Sequence, residues 1–254
     1  WILRHCTVGA CISALIGLLA AWLLFSWLFH ANASYFYASL PVRRETLFVT
    51  NFSVGMTMVA LCNLLTAIAA YLITLLHGYP QLSACMSFFG ASTLAFLCFY
   101  GFAVFLCMII GQTAAMPAVY VILNFTSALV YYAVQYLLET FVYGMTVWYE
   151  DRTSSIFYRL SPVYYMAIHG FYHAPATLAD GSIDESRYYL EGWGYLAALA
   201  AAGIVFAVLA LLIFRRREME RSGDVIAVKP LRPVFLYCFA AGCAIVFSYV
   251  ITSM

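Results

Sequence analysis

Charged side chains are scarce in this chain, so the places where they occur carry information. Arg43, Arg44 and Glu45 stand together in SLPVRRETLFVTNF (39–52), among Leu40, Leu47, Phe48 and Phe52 at helical spacing. A guanidinium holds carboxylates and phosphates through paired hydrogen bonds. The stretch therefore reads as a short surface helix, with Ser39 as N-cap and Pro41 in the first turn, whose arginines reach acidic groups. The plainer alternative is two arginines that only mark which side of a boundary the loop occupies. A second pair, Gln135 and Glu139, shares a helix face four residues apart and suits an external gate or polar path, or a carboxylate reaching water. His169 and His173 have the spacing of two metal ligands, but no third ligand has an obvious place, so no metal is expected. The eight cysteines contain no C-x-x-C and fall in or beside apolar runs, where they act as small hydrophobes. The sequence has no G-x-x-x-x-G-K-[ST] and no H-E-x-x-H, and offers no Ser/His/Asp or paired-carboxylate arrangement. No catalytic residue is expected, and the chain reads as a non-enzyme.

The elements that must position these residues follow from composition. Of 254 residues, 65% are hydrophobic and 9% charged, with a mean hydropathy of +0.92. A water-soluble globule must still cover itself with polar groups, and this chain has too few. Its solvent is lipid. A helix needs about 20 apolar residues to cross the hydrocarbon core. Six such runs occur, at about 8–29, 53–76, 88–110, 117–138, 194–214 and 234–253. They are apolar all round rather than alternating, so they read as helices and not barrel strands. The expectation is a single all-α transmembrane domain over 1–254.

Alternation of sides then groups the connections. Segments 30–52, 111–116 and 215–233 share one face and hold eight of the twelve basic residues, including Arg215, Arg216 and Arg217. The other face carries Arg152, Arg159 and Arg187 against seven acidic residues. An excess of lysine and arginine marks the cytoplasmic side. Trp1 then lies outside, which predicts a further transmembrane helix before it and leaves room for continuation past Met254. The external segment 139–193 contains SSIFYRLSPVYYMAIHGFYHAP, aromatic and proline-bounded, as expected of an interfacial or re-entrant helix. Ala197, Ala198, Ala201, Ala202 and Gly203 offer a surface for close helix approach.

Two tracts carry a family resemblance. ASYFYASLPVRRETLFVTNF resembles the cytoplasmic loop of type-2 ABC transporter permeases, bacterial ones of the Firmicutes type above all. RRREMERSGDVIAVKPLRPVFLY (215–237) resembles the tract such permeases carry after a later span. The resemblance implies a six-span core with a coupling helix in 30–52 and external re-entrant helices in 139–193, the first core helix lying before Trp1. It implies a membrane subunit in the bacterial plasma membrane, exporting a hydrophobic or amphipathic substrate such as a peptide, antibiotic or lipid. A separate ATPase would bind ATP and magnesium, no cofactor would reside in this chain, and a second permease copy or paralogue would complete the assembly. Leu40, Arg43, Arg44, Glu45, Leu47 and Phe48 would form the ATPase contact. The competing reading is a secondary transporter outside the ABC class or a structural assembly subunit. Nothing in either reading calls for nucleic acid.

Overall fold

A computed structural model describes residues 2–39, 41–78, 82–142, 159–169, 176–177, 183–184 and 192–216, with Tyr237 and Ala240. The elements are α1 (Ile2–Leu24), a 3-10 turn (Ser26–Phe29), α2 (Ala31–Ser39), α3 (Arg44–Leu76), α4 (Leu82–Ile109), α5 (Ala115–Phe141), α6 (Pro162–His169) and α7 (Trp193–Arg216). A two-residue antiparallel ladder pairs Ala176 with Asp184 and Thr177 with Ile183. The molecule is helical, and α3, α4, α5 and α7 are long and apolar enough to cross a membrane. The first expected span differs. Expected over 8–29, it ends as an α-helix at Leu24, where the chain tightens into the 3-10 turn Ser26–Phe29. The sixth expected span, 234–253, the tract 217–233 and Leu40 lie outside the described residues, apart from Tyr237 and Ala240.

α4 is the axis of the bundle. Its sequence has no charged residue, and fifteen of its residues are buried, among them Phe96, Phe99, Tyr100, Val104 and Met108. A helix apolar all round is one surrounded by other helices. α1 and α7 flank it along most of its length and α3 packs more lightly. Contacts set the directions. Ser13 in α1 donates to the Ser92 carbonyl (3.3 Å), and farther along, the Cys107 thiol meets the Ala21 carbonyl (3.8 Å), so α1 and α4 run parallel. Trp193 lies against Gly90, and Gly203 against Gly101, so α7 is parallel to both. α3 returns antiparallel, placing Asn63 beside Thr93 and Gly55 beside Tyr100.

The α4–α7 seam depends on missing side chains. A Cβ on Gly203 would stand 2.6 Å from the Leu97 carbonyl oxygen, and one on Gly101 would run into the Gly203 carbonyl. Backbones this close exchange dispersion contacts that bulkier residues would prevent. The small-residue surface expected on α7 is thus only partly the one used. Gly203 and Ala200 are buried, whereas Ala197, Ala198 and Ala201 are exposed. Leu196, Leu199, Ala210 and Phe214 complete the packed face at helical spacing.

Between Ser39 and Arg44 the structure departs from the sequence reading. Ser39 does not cap a helix start. It ends α2, and its hydroxyl donates back to the Phe36 carbonyl (2.7 Å). Pro41 lies outside any helix, Arg43 is extended (φ −63°, ψ 136°), and α3 begins at Arg44. From there it runs 33 residues without a break, through Phe52 to Leu76, because no proline interrupts it. Glu45 in the first turn complements the positive end of the helix dipole. The expected surface helix and the second span are one helix.

Candidate functional site

The bundle has two chemically distinct ends. At the basic end, where α1 stops, α3 starts and α7 stops, the two tracts singled out in the sequence meet. Arg215 donates to the Glu45 carboxylate across 3.0 Å, joining the last turn of α7 to the first turn of α3. Each charge also sits at the helix end whose dipole favours it, acid at the N-terminus and base at the C-terminus. Both are about half exposed, 46% and 53%, so water screens the pair and its worth is modest, about 0–1 kcal/mol. Arg43, Arg44 and Arg216 are exposed around it.

Beneath the charges lies an aromatic cluster. Phe48 is 3% exposed and packs against Phe25 (5.8 Å between ring centroids), Phe214 (5.9 Å) and Phe52 (6.1 Å). Trp27 sets its edge to Phe214 (6.1 Å) and packs on Tyr37 (4.7 Å). Phe52 stacks on Tyr100 (5.0 Å), which stacks on Phe96 (5.2 Å), and the Tyr100 hydroxyl donates to the Asn51 carbonyl (3.3 Å). Aromatic pairs of this geometry contribute about 0.5–1.5 kcal/mol beyond the area they bury. Phe48 therefore roots the segment rather than reaching a partner, and Leu47 is half-buried against the same core. Arg43, Arg44 and Glu45 face outward, as do Val42, Thr46 and Val49. α2 adds Tyr35 and Phe36, exposed at 54% and 63%. It is pinned by the buried Ser34 hydroxyl, which donates to the Trp27 carbonyl (2.9 Å). Sequence reasoning passed over Trp27, Tyr37 and Phe214, and read Glu45 without its partner. The cue available was charge complementarity between the two tracts.

Away from the basic end, the interactions found among the described residues are neutral. Gln135 donates to the Tyr131 hydroxyl (2.6 Å), one helical turn away on α5. Glu139 lies on α5, but its side chain is outside the described residues; so are His173 and most of the external segment. The Tyr132 and Tyr164 hydroxyls share a hydrogen bond, and the Tyr195 hydroxyl donates to the Arg159 carbonyl (3.1 Å). Ser161, fully buried, donates to the Asn124 carbonyl, while the Asn124 amide bonds the Tyr120 carbonyl (2.9 Å). Tyr120 in turn donates to the Ala14 carbonyl of α1 (3.0 Å).

Depth gives this chain of bonds its meaning. Asn124 is only the tenth residue of the 27-residue α5, with about 25 Å of helix beyond it toward the far end. Ser161 therefore dips well inside the end of α5, and α6 packs in that recess against α1 and α5 with Met166 buried. Of the expected external segment, residues 159–169 thus pack beside α5 at the depth of Asn124. Among the described residues no group of three His, Cys, Asp or Glu could hold a metal ion. Comparisons of the chain with family models, with curated proteins and with solved structures yield no match.

Proposed function

We propose that this chain is the membrane-spanning subunit of an ABC-type exporter of the type-2 class, driven by an ATPase on a separate polypeptide. The observation that supports this reading is the meeting of the two permease-like tracts at the Glu45–Arg215 pair. Arg43 and Arg44 stand exposed there, on an aromatic foundation that ties α3 to α7. A push delivered at Arg43–Glu45 would enter a rigid 33-residue helix rather than a flexible loop, and a motor subunit needs such a lever to bias the bundle between access states. The recessed α6, packed against α1 and α5, suits a cap on the path. The substrate class in this reading is hydrophobic or amphipathic, and the orientation puts the basic end in the bacterial cytoplasm. A second permease copy or paralogue completes the assembly.

The test is co-purification in mild detergent with the neighbouring genes co-expressed, comparing wild type with Arg43→Glu/Arg44→Glu. An ATPase retained by wild type and lost from the variant supports the motor contact. A folded permease that retains no ATPase in either form removes the mechanism, and a gradient-driven or structural role takes its place.

A further inference from the structure

α3 is attached to the bundle unevenly. Its buried residues are Phe48, Gly55 and Ala67, and most of its apolar surface, including Val54, Met58, Leu61, Leu65 and Leu72, is turned away from the other helices. The tightest point is Gly55, where a Cβ would run into the Tyr100 ring and stand 2.8 Å from Leu24 Cδ1. From Gly55 to Glu45 is ten residues, about 15 Å of helix. At the end of that arm α3 is held to α7 by the Glu45–Arg215 pair and the Phe48–Phe214 contact. The chain just before it is not helical, since residues 41–43 form a bend and an extended step. The arm has a close-packed pivot at Gly55, a half-exposed ion pair over the buried Phe48 toward its tip, and a non-helical link behind it.

We infer that Glu45 and Arg215, seated on Phe48 and Phe214, form a clasp whose release swings the basic end of α3 away from α7 about Gly55. When closed, the clasp keeps Phe52 of α3 over Tyr100 and Phe96 of α4; when open, it uncovers that α4 aromatic face between α3 and α7. An ion pair near water suits the task because its strength is comparable to thermal energy, whereas a buried pair would hold permanently or destabilise the fold. The inference concerns motion within this chain and stands whether or not an ATPase docks.

The experiment uses the full chain in lipid nanodiscs with spin labels attached through ketone-bearing amino acids at the exposed positions Thr46 and Arg216, leaving the native cysteines in place. A second labelled pair, at Met86 and Ala197 on α4 and α7, reports on the seam that the clasp does not control. The Thr46–Arg216 pair should give mainly one short distance in wild type. Arg215→Glu should raise a longer population about two- to fivefold, and Glu45→Arg/Arg215→Glu should restore the short one. The Met86–Ala197 distance should stay the same throughout. Arg215→Ala, which introduces no repulsion, should fall between wild type and Arg215→Glu. A distribution unchanged by Arg215→Glu, or a charge swap that leaves the long population in place, overturns the clasp. A shift of both label pairs together shows general loosening and overturns it too.

Discussion

Two regions of this bundle, the basic end and the surroundings of α6, solve the same problem with different chemistry. At the basic end, among the described residues, α3 and α7 are joined through side chains, by aromatic rings below and a half-exposed ion pair above. Deeper in the bundle, around α6, the described parts of α1, α5 and α6 are joined by neutral groups, Ser161 and Tyr120 donating to backbone carbonyls in buried surroundings. A buried neutral hydrogen bond loses both partners to a dry environment when it breaks, so it holds a position. A screened ion pair can trade its partner for water at little cost, so it can open. The bonds around α6 suit a fixed position, and the ion pair at the basic end suits the clasp inferred above.

The comparison assumes that both regions hang from one rigid axis, and the largest expected effect comes from breaking that axis. Gly203→Val puts a branched side chain where even a Cβ would stand 2.6 Å from the Leu97 carbonyl oxygen. It should cost about 3 kcal/mol or more, seen as loss of the monodisperse folded species on size exclusion, and both regions should fail together. Next comes the aromatic foundation. Phe48→Ala should destabilise by about 3 kcal/mol as the cavity between Phe25 and Phe214 is left unfilled. Its effect should be confined to the basic end, with protection from hydrogen exchange lost in α3 near Phe48 and retained in α6.

Smaller changes separate the chemistries. Ser161→Ala should cost about 1 kcal/mol, measured as a shift in the midpoint of an SDS unfolding titration, and raising the salt concentration should not alter the shift. Arg215→Ala should cost less than that in the same titration, and its cost should vanish in high salt because the pair is half exposed to screening ions. If the salt dependences came out reversed, the contrast between the two regions would be mistaken.

Much of the fold was legible in the sequence because lipid is an undemanding solvent to predict from. Long uncharged runs have few alternatives to helices that span it, and the spans read at 53–76, 88–110, 117–138 and 194–214 fall within or largely overlap α3, α4, α5 and α7. The site was legible in part. Arg43 and Arg44 do stand exposed, but Phe48 and Leu47 turn inward, since helical spacing identifies an apolar face without saying what it faces. Ser39 was misread as a helix start because a serine before a proline suits a cap. The decisive break was Pro41 itself, with nothing after it to interrupt α3 before Leu76. On α7 the sequence offered a broad band of small residues, and only the shape of α4 selected Gly203 and Ala200 from it.

By itself, then, the sequence determined the solvent, the helices and the end at which positive charge collects, because these depend on composition and on periodicities of a few residues. Only the tertiary structure decided that Glu45 belongs with Arg215, that Phe48 rests on Phe214, and that Ser161 reaches Asn124 deep beside α5. These partners lie 170, 166 and 37 residues apart (215 − 45, 214 − 48 and 161 − 124). No local periodicity links positions so far apart, and they meet only because α1, α3, α5, α6 and α7 are arranged around α4.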